Sequence, residues 1–298
     1  MTKITLLDGG MGQEIAKRAG DTDSPLWSMK AMMEDPSIVS RVHADYFRAG
    51  ATVATSNTYP VHHDRLDPKG LGDKFGELLE VGLTVAEEAR AAHGSGRIAG
   101  AIGPLGASYR PDICPPVDVA APLYAEIAEI MASRVDVIAC ETMSSVVQAE
   151  GALKGCAEAG VPVWLAVSVS DEDGTVLRSG EPVGDLAELV AKYAPEAVLV
   201  NCSVPEVMEP ALEIVRGFGR PFGAYANGFK RISTAFLEDA PSVDALEARR
   251  DLGPEEYADF ALRWVGMGAT IIGGCCETGP EHIAEIARRL ERAGFEIV

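Results

Sequence analysis

Eight short apolar segments alternate with longer segments of helical periodicity along this chain of 298 residues. Each short segment is bounded by turn residues and is typical of a strand buried on both faces. Eight strand-then-helix units predict a (β/α)8 TIM barrel that forms a single α/β domain over residues 1–298. A doubly wound open sheet is the alternative. The expected strands are 4–8, 51–56, 97–103, 135–141, 161–169, 197–203, 221–227 and 269–276.

Eight amphipathic segments follow these strands, and several begin with proline or end with glycine, as helices do. One connection is much longer than the others, because residues 228–252 separate the seventh strand from its helix. Connections of this length usually cover a site or are disordered. Since this one follows a strand, we expect it to lie over the catalytic face. The expected helices are 36–50, 75–93, 119–133, 144–160, 183–194, 206–219, 253–268 and 279–294.

The chain carries a formal net charge of -19. This charge argues against nucleic acid and anionic membrane surfaces as partners, because both select for basic patches. The longest apolar runs, such as residues 161–167, are far shorter than a membrane span, and the first ten residues contain no apolar stretch of signal-peptide length. We therefore expect a cytoplasmic protein, and the sequence leaves the oligomeric state undetermined.

The cysteines are not expected to form a disulfide framework, because thiols stay reduced in the cytoplasm. Cys114, Cys140 and Cys156 are interpreted as small, inert buried residues. Cys275 and Cys276 differ from them, since they are adjacent in sequence and follow two glycines that permit close approach of the backbone. The remaining cysteine, Cys202, comes at the end of the expected sixth strand.

Polar side chains collect where the expected strands end, which in a TIM barrel is the catalytic face. The expected eighth strand ends in Cys275 and Cys276, so three cysteines from two strands converge there. Three thiolates fit zinc, which prefers sulfur ligands in a tetrahedron and keeps one position open in catalytic sites. His62 and His63 are interpreted as exposed loop residues and not as metal ligands. The other strand-end residues are Asp8, Gly9, Gly10, Thr55, Glu141, Asn201 and Asn227.

Seven motifs then resemble the homocysteine S-methyltransferase family, in the expected order from the first strand to the last helix. This family includes the S-methylmethionine and betaine enzymes and the homocysteine module of cobalamin-dependent methionine synthase. The combination of VNCS with IIGGCCET is the most specific part of the likeness. The motifs are LLDGGMGQEI at 6–15, LWS at 26–28, HADYFRAGATVATSNTY at 43–59, IGPLGA at 102–107, ACET at 139–142, VNCS at 200–203 and IIGGCCET at 271–278.

The resemblance implies zinc-dependent methyl transfer to the thiol of homocysteine, with small molecules as partners. It implies that Cys202, Cys275 and Cys276 hold Zn²⁺ and form the catalytic centre. It also implies that five residues help to hold the amino acid, namely Asp8, Gly9, Gly10, Thr55 and Glu141. Asn201 and Asn227 are further candidates, and either orient ligands or cap turns.

The chemistry of the residues agrees with this implication. A free thiol is mostly protonated at neutral pH, whereas zinc binds a substrate sulfur as the thiolate that attacks carbon. Glu141 offers a carboxylate to the ammonium of an amino acid, and the Gly9-Gly10 turn before a helix favours its carboxylate. Methyl donors in the family are often cationic, and Trp27 offers an aromatic face to such a donor.

Two departures from the family pattern concern the donor. Ala226 precedes Asn227 where many relatives carry proline, and Glu277 follows the paired cysteines where glycine is common. The sequence therefore leaves the donor open among S-methylmethionine, S-adenosylmethionine, betaine and methylated corrinoid or folate. Two other functions also stay open: a barrel with a structural or redox three-cysteine zinc site, and a metal-dependent lyase or hydrolase.

Overall fold

Nine strands and eleven α-helices form the part of the chain that the computed structural model describes, residues 2–20, 26, 28–232 and 247–298. The strands lie within one or two residues of the expected segments, and a short ninth strand was not expected. Their bounds are β1 (Lys3–Leu6), β2 (Val53–Thr55), β3 (Arg97–Ile102), β4 (Val137–Met143), β5 (Val163–Val167), β6 (Ala197–Asn201), β7 (Phe222–Ala226), β8 (Ile271–Gly274) and β9 (Glu296–Ile297).

The strands pair in the order β2-β3-β4-β5-β6-β7-β8-β1-β9, and all of these pairs are parallel. A parallel bridge between Leu7, directly after β1, and Val53 of β2 closes β1–β8 into a barrel, and β9 lies outside this closed ring. The amide of Thr52 supports the closure by donating to the carbonyl oxygen of Leu6 at 2.7 Å. The order runs along the chain without reversing, so the predicted TIM-barrel fold is confirmed and the doubly wound sheet is excluded.

The eight expected helices are present, and three more lie in the connections after β1 and β2. These three are short, and together they make the first two connections more elaborate than strand-helix alternation predicts. No helix in the described part of the chain is both long enough and apolar enough to span a bilayer. The bounds are α1 (Met11–Ala19), α2 (Ser28–Glu34), α3 (Pro36–Arg48), α4 (His63–Leu66), α5 (Phe75–His93), α6 (Val117–Met131), α7 (Val146–Cys156), α8 (Ala187–Tyr193), α9 (Met208–Arg216), α10 (Pro254–Gly266) and α11 (Pro280–Arg292).

Alternate residues of the strands pack into two separate apolar regions. Ile98 and Ile138 point outward and join the core between the sheet and the helices. Ala99 and Ala139, the next residues along, point inward and join the core of the barrel, which Trp164 helps to fill. This alternation explains why the strand segments are apolar throughout, since both faces are buried.

Glycine at position 273 allows β8 to pack closely against β1. A Cβ atom there would lie 2.5 Å from the Cβ of Leu7 and 3.0 Å from the carbonyl oxygen of Asp8. The second neighbour is backbone, so the contact can be relieved only by moving the end of β1. The close approach that the sequence predicts for this glycine is therefore required by the barrel itself.

We expect Gly273→Ala to lower the free energy of unfolding by about 2–3 kcal/mol, because the added methyl group overpacks the β1-β8 contact. Gly76→Ala is the matched control, since a Cβ at this position in α5 meets no atom within 4 Å. The control should raise the free energy of unfolding by about 0.5–1 kcal/mol through helix propensity. Urea denaturation measures both, and equal effects of the two substitutions would contradict the packing argument.

Candidate active site

A cavity lies at the carboxyl ends of the strands, the face on which TIM barrels carry their chemistry. Its wall is formed by the ends of β1, β2, β4, β6, β7 and β8 and by the connection after β3. Most of the predicted site residues lie in this wall, although they come from distant parts of the sequence. They are Asp8, Gly9, Gly10, Thr55, Glu141, Cys202, Cys275 and Cys276.

The cysteines at the ends of β6 and β8 form a tight cluster. Cys275 Sγ lies 2.8 Å from Cys202 Sγ, and Cys276 Sγ lies 3.6 Å from Cys202 Sγ. All three sulfur atoms lie within 4.8 Å of one another. Tetrahedral sulfur ligands about 2.3 Å from a zinc ion are roughly 3.8 Å apart. The Cys202–Cys276 spacing is close to this value and the Cys202–Cys275 spacing is about 1 Å shorter, so the three sulfurs can share one metal ion once Cys275 moves slightly away. Among the described residues, no other three histidine, cysteine or carboxylate side chains bring their ligand atoms within 4.8 Å of one another.

Backbone hydrogen bonds hold the cluster in place. Cys202 has a φ of 52°, and its amide donates to the carbonyl oxygen of Tyr225 at 3.1 Å. The amide of Cys275 donates to the carbonyl oxygen of Ala226 at 2.9 Å. The carbonyl oxygen of Cys275 accepts from the hydroxyl of Thr278 at 2.6 Å, which fixes the turn that carries both adjacent cysteines. β7 therefore supports both cysteine segments.

Asp8 is buried at the end of β1 and is bonded to β2. Its carboxylate accepts from the amide of Thr55 at 2.6 Å and from the hydroxyl of Thr55 at 2.7 Å. Burial raises the pKa of Asp8 to about 7, and the two bonds from Thr55 oppose this rise. Thr55 therefore holds the carboxylate of Asp8 in the cavity wall.

Glu141, near the end of β4, is the second carboxyl group of the cavity and is partly exposed there. It accepts a hydrogen bond from the hydroxyl of Tyr225 at 2.9 Å. Burial is the largest cause that raises the pKa of Glu141 to about 8, and the nearby charge of Asp8 raises it further. An ammonium group bound beside these two carboxyl groups would stabilise their ionised forms. The site therefore suits a ligand with a positive charge.

The Gly9-Gly10 turn leads from β1 into α1 and is pressed against the segment that follows the cysteines. A Cβ atom on Gly9 would lie 2.2 Å from the carbonyl oxygen of Thr278. The amide of Gly10 donates to the same oxygen at 2.9 Å. Gly12 and Gln13, in the first turn of α1, also line the cavity. An amino-terminal helix end, which favours anions, thus borders the cavity.

Asn201 and Asn227 are buried and bonded to the backbone beside the cavity. Asn201 accepts from the amide of Thr142 at 3.0 Å and donates to its hydroxyl at 2.9 Å. Asn227 donates to the carbonyl oxygen of Cys202 at 2.9 Å and accepts from the amide of Phe229 at 3.1 Å. Of the two roles considered for them, these bonds favour holding the strand ends.

Two predictions concern residues that the structure describes only in part or not at all. Trp27 lies outside the described residues. Residues 233–246, which form most of the connection 228–252, also lie outside them. The described beginning of this connection reaches the cysteine cluster, because Ile232 packs against it. The amide of Ile232 donates to Asp171 at 3.2 Å.

The interpretation of His62 as an exposed loop residue is wrong. His62 is only 1% exposed, and its ring packs edge-on against Tyr124 at a centroid distance of 6.1 Å. The segment after β2 turns inward before the short helix α4 begins, and this turn buries the ring of His62. His63, by contrast, is partly exposed, and neither histidine belongs to the cysteine cluster.

Two tyrosines of the cavity wall were missed by the sequence reasoning: Tyr109 and Tyr225. Tyr225 lies in β7 among apolar residues, and inward alternation along this strand was the available signal. Tyr109 donates from its hydroxyl to Cys202 Sγ at 2.9 Å. It lies in an irregular connection, where periodicity gives no signal.

The sequence model of the homocysteine S-methyltransferase family matches residues 5–290 of this chain. The chain belongs to this family. Homocysteine S-methyltransferase 4 of Zea mays is 30% identical, over 98% of this chain and 90% of its own length. Homocysteine S-methyltransferase YbgG of Bacillus subtilis is 29% identical, over 95% of this chain and 93% of its own.

A solved structure of a homocysteine methyltransferase shares the fold. The metallated form of MmuM from Escherichia coli superposes with a TM-score of 0.80 at 28% identity, and the match covers 96% of each chain. The resemblance seen in the sequence motifs is therefore confirmed at the level of the family and of the barrel.

The raised pKa of Glu141 predicts how stability depends on pH in the reduced, metal-free protein. Between its ordinary pKa of 4.5 and about 8, the folded state holds a proton that the unfolded chain releases. This contribution to stability is present at low pH and is lost as the pH rises towards 8. Glu141→Gln removes this ionisation. The free energy of unfolding of the variant minus that of the wild type should therefore be larger at pH 9 than at pH 6, by roughly 1–3 kcal/mol.

Denaturant titrations at the two pH values measure this difference. Glu188→Gln, which replaces an exposed carboxylate in the first turn of α8, is the control. It should change stability by the same small amount at both pH values. A Glu141→Gln effect that is independent of pH would show that the carboxyl group of Glu141 is ionised in the folded protein throughout this range.

Proposed function

We propose that this protein transfers a methyl group from a small donor to the thiol of homocysteine and forms methionine. The observation that carries the proposal is the meeting of three cysteine sulfurs and two carboxyl groups in one cavity. The names of the relatives in Zea mays, Bacillus subtilis and Escherichia coli support the same acceptor. Free thiols at this centre fit a reducing compartment, so we place the enzyme in the cytoplasm.

Cys202, Cys275 and Cys276 are the proposed zinc ligands. The donor set fits zinc, because zinc binds thiolate ligands well and the three sulfurs lie close enough to share one ion. When bound, zinc supplies a Lewis acid that lowers the pKa of an incoming thiol. The three cysteines leave one side of the cluster facing the cavity, where the acceptor thiol would approach.

The two charged groups of homocysteine, its ammonium and its carboxylate, are held at different places in the cavity. Glu141 and Asp8 receive the ammonium group, whose charge would stabilise the ionised forms of two carboxyl groups with raised pKa values. The first turn of α1, entered through Gly9 and Gly10, receives the carboxylate. Thr55 acts through Asp8, and Tyr225 acts through Glu141.

A cationic methyl donor suits the charge of the cavity. The described wall contains two carboxyl groups and three thiols but no lysine or arginine. The rings of Tyr59 and Tyr109 add aromatic surface to it. We keep Trp27 as a further candidate for the donor and the connection 228–252 as a cover of the catalytic face.

The alternative of a purely structural or redox zinc site is disfavoured by the cavity. A structural site is closed by four protein ligands. In the described part of the chain, only three metal-binding side chains meet within 4.8 Å, and Cys275 and Cys276 are partly exposed. An open position next to a cavity is instead the arrangement of a catalytic site.

The proposal is tested by incubating zinc-loaded, reduced protein with homocysteine and a panel of donors. The panel contains S-methylmethionine, S-adenosylmethionine, betaine, and methylated corrinoid and folate. We expect methionine to form with at least one cationic sulfonium donor, measured by mass spectrometry. If no donor gives methionine while one zinc is bound per chain, the substrate assignment fails.

Cys275→Ala should lose both zinc and activity, because two thiolates do not retain the metal. We expect zinc content to fall to background and methionine formation to fall by about two orders of magnitude or more. Cys114→Ala is the matched control, since Cys114 is partly buried but lies outside the cluster. Elemental analysis and the methionine assay measure both variants, and full zinc content in Cys275→Ala would contradict the ligand set.

A further inference from the structure

Tyr109 places a phenol against one of the three clustered sulfurs. Its hydroxyl donates to Cys202 Sγ at 2.9 Å, and the side chain is buried in the cavity wall. The residue has a φ of 63°, in the left-handed region that bulky residues rarely adopt. Such a conformation persists only where the surrounding structure imposes it. The fold therefore holds this phenol in place at a conformational cost.

A nearly buried ion pair supplies that support. The guanidinium of Arg178 lies 4.6 Å from the centre of the Tyr109 ring. It is paired with Asp171 at 2.9 and 3.1 Å, and these side chains are only 10% and 11% exposed. The same guanidinium donates to the carbonyl oxygen of Cys202 at 3.1 Å. One cation thus fixes both partners of the Tyr109–Cys202 hydrogen bond and draws electron density from the ring.

A centre of three cysteine thiolates poses a problem of selectivity for methyl transfer. The protein sulfurs are nucleophiles of the same kind as the substrate sulfur. If Cys202 Sγ attacked the donor, a carbon–sulfur bond would form and the bond from the methyl carbon to its leaving atom would break. The leaving group would depart with the electron pair, and the product would be S-methylcysteine. A thioether is a weak zinc ligand, so the centre would be lost.

We propose that Tyr109 suppresses methylation of Cys202 and so directs the methyl group to the substrate sulfur. A hydrogen bond to a thiolate withdraws charge from the sulfur and occupies one of its lone pairs, which lowers its nucleophilicity. The substrate sulfur does not receive this bond and remains the better nucleophile. Tyr109 is thus a specificity-determining residue. Its role rests on the proposed metal-thiolate centre, but it does not depend on which acceptor or donor the enzyme uses.

The test exposes zinc-loaded protein to methyl methanesulfonate in the absence of homocysteine. Methylation of each cysteine is followed by peptide mass spectrometry, and zinc content is measured in parallel. Tyr109→Phe keeps the ring beside Arg178 and removes only the hydroxyl. We expect this variant to bind zinc as the wild type does and to become methylated at Cys202 at least about fivefold faster. Zinc should be released as Cys202 is methylated.

Tyr59→Phe is the matched control. It removes a phenolic hydroxyl from the same cavity wall, but that hydroxyl is bonded to Ser108 Oγ at 2.7 Å and not to sulfur. The control should be methylated at Cys202 at the rate of the wild type. A rate at Cys202 that is equal in Tyr109→Phe and the wild type would overturn the proposal. Equal acceleration at Cys275 and Cys276 would also overturn it, because that result indicates general exposure.

Zinc binding by Tyr109→Phe and incorporation of a fluorinated tyrosine provide two further tests. A folded Tyr109→Phe protein that binds no zinc overturns it, because the hydroxyl would then be needed to retain the metal. If this variant does not fold, the wild type is produced with 3-fluorotyrosine, whose more acidic hydroxyl is a stronger donor. Cys202 should then be methylated more slowly than in the unlabelled protein, and an unchanged rate contradicts the proposal. A wild type that binds no zinc would refute the proposed function instead.

Discussion

Convergence of three sulfur atoms at one end of the barrel is the constraint on which the site depends. Cys202 comes from β6 and the adjacent pair comes from β8, so their distance is set by the packing of β6, β7 and β8. The amide bonds from Cys202 and Cys275 to β7 fix this spacing in the backbone. These bonds join backbone atoms alone, so the fold itself sets the positions of the two cysteine segments. A prearranged cluster loses less conformational entropy when it binds an ion.

The same cavity concentrates groups that carry or acquire negative charge, and burial favours the neutral, protonated form of its carboxyl groups. Asp8 and Glu141 have raised pKa values, so both carboxyl groups tend to keep a proton until a cation arrives. Arrival of an ammonium group would favour ionisation of both. Binding of a cation at the proposed site would therefore be coupled to proton release. A carboxyl group with a raised pKa lowers stability at high pH, and such a cost is common at functional sites.

Much of the fold could be predicted because a strand buried on both faces has a distinct pattern. Even β2, with three residues, was located, since apolar residues and turn residues delimit it. Most of the candidate site residues line one cavity because the carboxyl ends of parallel strands meet at one edge. The helices α2 and α4 were not predicted, because short helices in connections have little periodicity. Tyr109 and Arg178 were also missed, since both lie in irregular segments whose contacts depend on the completed fold.

The roles of Asn201 and Asn227 show why strand-end position alone does not define contact with substrate. Both side chains satisfy backbone groups next to residues with positive φ, Thr142 at 61° and Cys202 at 52°. Without such bonds, these strained positions would relax and move the side chains that line the cavity. An asparagine that holds a cysteine in place and one that binds a ligand look alike in sequence, because each is a polar residue after a buried strand. Only the hydrogen-bond partners distinguish them, and here the partners are backbone atoms and a threonine hydroxyl.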